Sequence, residues 1–133
     1  MRKDLKDELT EIDVKMVATI LIFISAILFI VAFLIQKEQV IDKKKGLYYY
    51  KNYPNDDEYI KIAFFILLIA NIIFLYYGYK NLQTTQERYK KTSNQAGLSS
   101  AYSYFYGRII QIIGVILIIY SLYISSDKDV MLR

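Results

Sequence analysis

Residues 16–35 read MVATILIFISAILFIVAFLI, with no charged side chain, no Gly and no Pro. Twenty residues at about 1.5 Å each make a helix of about 30 Å, the thickness of a bilayer's hydrocarbon core. A secretory signal has a shorter apolar core and a small-residue cleavage site, whereas this stretch runs on into Gln36, Lys37 and Glu38. It therefore predicts a membrane span that stays in the mature chain.

Two further blocks repeat the pattern. Residues 62–79 are uncharged and flanked by Lys61 and Lys80, whose long stems can carry their ammonium groups to the two interfaces. Residues 109–124 are uncharged but make only about 24 Å of helix. The aromatic run Tyr102, Tyr104, Phe105 and Tyr106 is expected to make up the deficit at headgroup level, with Arg108 among the loop charges. The 14 Tyr residues support this register. Tyr48, Tyr49, Tyr50, Tyr53, Tyr59, Tyr120 and Tyr123 fall at one predicted interface, and Tyr76, Tyr77, Tyr79, Tyr102, Tyr104 and Tyr106 at the other, as aromatic belts do.

The expected fold is thus an all-α integral membrane protein forming one membrane domain. It has an amphipathic helix over 1–15, spans over 16–35, 62–79 and 109–124, a loop over 36–61, an extension and loop over 80–108, and a tail over 125–133. In the N-terminal segment Leu5, Leu9, Ile12 and Met16 share one helical face. The other face mixes both charge signs, which suits water or a partner better than anionic lipid. That segment is expected to lie on the membrane surface or to run straight into the first span. Asn55 is placed to cap the second helix, with Asp56, Asp57 and Glu58 at the positive end of its dipole. These acids lack the spacing and the Gly of an EF-hand, so they read as helix-start charges and not as a calcium site. A break near Thr92 to Gly97 and an N-cap at Ser99 or Ser100 are expected before the third helix.

Small residues recur one heptad apart in each span: Ala18, Ser25 and Ala32; Ala63 and Ala70, beside Asn71 and Gly78; and Gly107, Gly114 and Ser121, with Gln111 on the same face. In lipid, close backbone approach at small residues drives helix pairing, and a seven-residue repeat favours left-handed crossings, so these stripes predict a left-handed bundle. The amides of Asn71 and Gln111 read as interhelical glue. Lys80, Arg88, Lys90, Lys91 and Arg108 form a basic cluster suited to anionic lipid headgroups. It is too small a field, without exposed aromatic platforms, to predict nucleic-acid binding.

Composition closes several functions. The chain has no Cys, His or Trp, which removes thiolate metal sites, disulfides, imidazole ligation and His-based acid–base catalysis. No spacing places a nucleophile beside an orienting group, so no catalytic, cofactor or metal site is predicted. No Asp, Glu, Lys or Arg lies within the three blocks, which argues against transport by titrating groups. The abundance of Ile and Lys points to an AT-rich prokaryotic genome. Nine Lys and Arg fall on the side of the N-terminus and second loop, against eight on the other. With the second loop nearly free of acids, the N-terminus and the extension of the second helix are expected in the cytoplasm and the C-terminus outside the plasma membrane. The expected role is an accessory subunit or assembly factor of a larger membrane complex, touching lipid and other membrane subunits. Two alternatives share the architecture: a holin-like or channel-forming homo-oligomer, and an immunity-type protein against a membrane-active peptide.

Overall fold

The computed structural model describes residues 2–46 and 54–128, and these form three long helices: α1 (Arg2–Lys44), α2 (Asp56–Thr92) and α3 (Gln95–Lys128). Each is long and apolar enough to cross a membrane. Phe23, Ile110 and Leu117 are each more than 60% exposed, and many other large apolar side chains are open as well. Contiguous apolar surface of that extent is rare on a soluble monomer and costs nothing against acyl chains.

The helices are longer than the apolar blocks because nothing local stops them at the interface. α1 has 43 residues, about 64 Å, so residues 2–15 continue directly into the first span. The expected loop over 36–61 is shorter than predicted, since Gln36 to Lys44 contain no breaker. α1 ends at Lys44, and the chain turns at Gly46, whose φ of +76° only glycine adopts freely. Tyr48, Tyr49, Tyr50 and Tyr53, placed in the aromatic belt from the sequence, lie outside the described residues.

α2 starts as predicted. Asn55 is extended (φ −73°, ψ 112°) and its Oδ1 accepts the Asp57 amide at 3.0 Å, with three acids in the first turn. It ends at Ser93, which is left-handed (φ 57°) and donates its N–H to the Tyr89 carbonyl at 2.8 Å. The break before α3 is only Ser93 and Asn94, and the cap is Asn94 rather than Ser99 or Ser100. Its Oδ1 accepts the Gly97 amide at 3.1 Å, so Gly97 sits inside the first turn.

α2 packs on both neighbours, while no Cα of α1 comes within 8 Å of one in α3 among the described residues. Both seams are antiparallel. Gln36 meets Asp56, Phe29 meets Phe64 and Lys15 meets Tyr77 along the first; Tyr89 meets Gln95, Tyr79 meets Phe105 and Lys61 meets Tyr123 along the second. Ala18, Ala32, Ala63 and Ala70 are fully buried and Ser25 nearly so. The Ala63–Ala70 stripe runs on to Tyr77, which faces α1, whereas Asn71 and Gly78 meet α3.

Candidate functional site

The feature with the most chemical consequence is a cation where the sequence predicted none. Arg108 sits on α3 between Tyr104, one turn before it, and Gln111, one turn after. Its Nε donates to the Tyr104 hydroxyl at 3.2 Å, and its Nη1 donates to Gln111 Oε1 at 3.0 Å and to Asn71 Oδ1 at 3.1 Å. The guanidinium carbon lies 4.6 Å from the centre of the Phe74 ring and 5.1 Å from that of Tyr104. Asn71 is buried and uses its own Nδ2 to bond the Leu67 carbonyl at 2.9 Å, which fixes its oxygen toward α3. Gly78 completes the arrangement. A Cβ there would sit 3.0 Å from Tyr104 Cε1, so the missing side chain is what lets the Tyr104 ring lie on α2.

Depth gives this cluster its meaning. Asn71 lies eight residues inside Tyr79, the end of the second apolar block, or about 12 Å along the helix against a half-core of about 15 Å. Tyr104 bonds the guanidinium from the Tyr79 side, while Asn71 and Gln111 accept from Nη1, so the side chain lies beside the apolar block of α2 between Tyr79 and Asn71. An arginine at such a depth costs about 2.5–3.5 kcal/mol on insertion scales and is always charged. Charge-assisted hydrogen bonds from the guanidinium and its contact with two ring faces, about 2 kcal/mol when desolvated, offset that cost. Among the described residues no carboxylate pairs with Arg108.

Arg108, expected among the loop charges, lies inside α3 and three residues past Phe105, which pairs with Tyr79. The reason lies in α3's register. Phe105 packs beside Tyr79 and Tyr123 beside Lys61, so the part of α3 level with the second apolar block starts before Arg108. The signal was present in the sequence: the third block is too short to span a core without the residues ahead of it.

The small-residue stripes divide. Those of α1 and α2 are buried, but on α3 Gly107, Gln111 and Ser121 are exposed, and a Cβ built on Gly107 or Gly114 meets nothing within 4 Å. α3 meets α2 instead through Ala101, Arg108, Val115 and Ile119. The basic residues do not share one height either. Lys80 follows Tyr79 directly, and its ammonium lies 4.9 Å from the Tyr76 ring; interaction with the Tyr76 hydroxyl holds its pKa above the usual lysine value. Arg88, Lys90 and Lys91 are exposed about 14–18 Å further along α2, well past a headgroup layer of about 5–8 Å. At that end Asp7, Glu8, Glu11, Lys80, Asn81 and Thr84 line a polar cleft of about 410 Å³ between α1 and α2. Leu5, Leu9 and Ile12 form an open apolar row on the far part of α1.

No protein-family profile, curated protein or solved structure matches this chain.

Proposed function

We propose that this chain is a non-catalytic subunit or assembly factor of a larger membrane protein complex, set in the plasma membrane with its N-terminus and the α2 extension in the cytoplasm and its C-terminus outside. The observation that carries this reading is the cation of Arg108, held on neutral groups level with the apolar block of α2 and beside an α3 face that no described residue covers. A single chain gains nothing from such a charge; an assembly does, because it gives the missing counter-ion a place to bind. The extensions of α1 and α2 add grip for a soluble partner, and Lys80 is the member of the basic cluster placed for lipid headgroups. Left-handed crossings at the alanine stripes hold α1 on α2.

The test is native mass spectrometry of the tagged chain, expressed in its own host and extracted gently into nanodiscs. A mass containing a different polypeptide is the expected result. Recovery of the chain alone at every detergent strength refutes the reading.

A second reading has one observation in its favour. Gln111 and Ser121 are both exposed polar residues on α3, and a ring of copies that turned them inward would make a holin-like or channel-forming homo-oligomer. Its signature is a mass of several copies of this chain together with conductance across a planar bilayer.

A further inference from the structure

Three regions of the molecule are open and chemically distinct: the polar cleft between the ends of α1 and α2, the apolar row Leu5, Leu9 and Ile12, and the α3 face beside Arg108. In the third, geometry, charge and depth together define an occupant. We propose that Arg108 is an intramembrane docking point for a transmembrane helix of a different polypeptide that carries an Asp or Glu at the depth of Asn71. That helix lies along the Gly107–Gln111–Gly114 face of α3. The proposal rests on the subunit reading above and specifies its partner.

Charge makes the first part of the case. An arginine has five N–H donors; here Nε serves Tyr104 and Nη1 serves Asn71 and Gln111, while Nη2 makes no hydrogen bond among the described residues. The guanidinium is thus held in one orientation with Nη2 unbonded among the described residues, and a carboxylate is the group whose geometry and charge match it.

Depth and sequence then choose among carriers of that charge. A lipid phosphate sits outside the hydrocarbon core, whereas the Asn71 amide lies about 12 Å inside the Tyr79 end. A headgroup would have to sink most of the way to the midplane. A second copy of this chain is no better, because residues 16–35, 62–79 and 109–124 contain no Asp or Glu to offer at that level. A foreign helix with an acid in its apolar stretch meets both conditions.

The surface beside the charge is cleared for such a helix. Gly107 is exposed, and added Cβ atoms on Gly107 and Gly114 meet nothing within 4 Å, so another backbone can come close there. Gln111 stands between them, already bonded to Arg108, and presents its amide to the same side.

The experiment is native mass spectrometry of the full chain from its own host, run on wild type, Arg108→Gln and Gly107→Leu, and followed by a charge exchange. Wild type is expected to carry a second polypeptide whose apolar segment holds an Asp or Glu. Arg108→Gln and Gly107→Leu should each lower its yield at least tenfold, and Arg108→Asp combined with Arg at the partner's acid should restore it. Gly107→Leu keeps the test alive if Arg108→Gln does not assemble, since a Cβ at Gly107 meets no described group beyond its own helix within 4 Å. A partner retained by both variants within twofold leaves the subunit reading standing and overturns the docking proposal. Wild type found alone, or only as copies of itself, overturns both. A phospholipid adduct lost in Arg108→Gln, with no polypeptide lost, shows that the arginine holds a headgroup and also overturns the proposal.

Discussion

The two seams of this molecule differ most in what lies at their centres. Between α1 and α2 the buried centre is small, with Ala18, Ser25 and Ala32 on one side and Ala63 and Ala70 on the other, while Phe29 on Phe64 and Gln36 bonded to Asp56 close the seam toward one end. Between α2 and α3 the contact is made of large and polar groups, with Phe65 edge-on to Tyr123, Tyr79 beside Phe105, Gln86 bonded to Tyr102 at 2.6 Å, and Arg108 held by Asn71. In lipid, where apolar side chains gain little by leaving the solvent, both are workable sources of affinity: dispersion at close range, or hydrogen bonds that have no water to compete with. The first seam needs only small residues in register. The second needs particular groups at particular depths, and so it can leave one of them, the guanidinium, available for something else.

The comparison breaks most readily at the alanines. Ala70→Phe forces a ring into a seam with no space for it, and overpacking of this kind is expected to destabilise the α1–α2 pair by about 3 kcal/mol. The chain contains no Cys, so introduced pairs, one across each seam, report the two contacts separately through their crosslinking rates. Ala70→Phe should depress the α1–α2 crosslink and spare the α2–α3 one. A loss below about 1 kcal/mol in a bilayer unfolding assay would mean that the helices are not in close contact there.

The polar seam should respond to subtraction instead. Asn71→Leu keeps the branching and the number of side-chain heavy atoms but removes the acceptor for Arg108, which leaves Gln111 and Tyr104 as its hydrogen-bond partners. A loss of about 1–2 kcal/mol is expected, since bonds to charged groups exceed the neutral membrane average. The same assay checks it, and here the α2–α3 crosslink is the one that should fall. A smaller effect follows from Gly78→Ala. The new Cβ meets Tyr104 at 3.0–3.1 Å, so the ring must tilt and its bond to Arg108 lengthens, at about 1 kcal/mol. If Gly78→Ala costs nothing, Tyr104 does not rest on α2.

How much of this was legible in the sequence depends on which seam is considered. The three apolar blocks and the Asn55 cap could be read from hydropathy and residue type, because each rests on local chemistry. The stripes on α1 and α2 could be read from their heptad spacing. The same spacing on α3 pointed to Gly107, Gly114 and Ser121, yet in this chain that face is open. A small-residue stripe states that a helix can be approached closely, not by which helix, and periodicity carries no partner identity. The arginine escaped for a different reason. Arg108 adjoins the last apolar block and was counted with the loop, and only the pairing of Phe105 with Tyr79 fixes its level along α2. Register between helices is a tertiary quantity that span-by-span hydropathy does not contain. The helix ends were missed similarly, since polar residues such as Gln36 to Lys44 prolong a helix as readily as they end a span.

The smallest predicted effect is also the sharpest test of the contrast. Gly107→Leu adds four carbons to an apolar helix, more than Gly78→Ala does, yet among the described residues nothing beyond the local helix lies within 4 Å of where its Cβ would stand. If the two seams described here are the chain's only internal contacts, this larger substitution must change the stability of the isolated chain by less than about 0.5 kcal/mol, while the smaller one at Gly78 costs about twice that. Measuring both in one unfolding assay removes most systematic error, because the host, lipid and tag are shared. An order of effect that follows side-chain size rather than contact would show that α3 is rotated from the orientation described, with its glycines turned inward and Arg108 turned out. The order expected here fixes α3's outer face as free of the chain itself, and any strong phenotype of Gly107→Leu in the cell then belongs to whatever binds there.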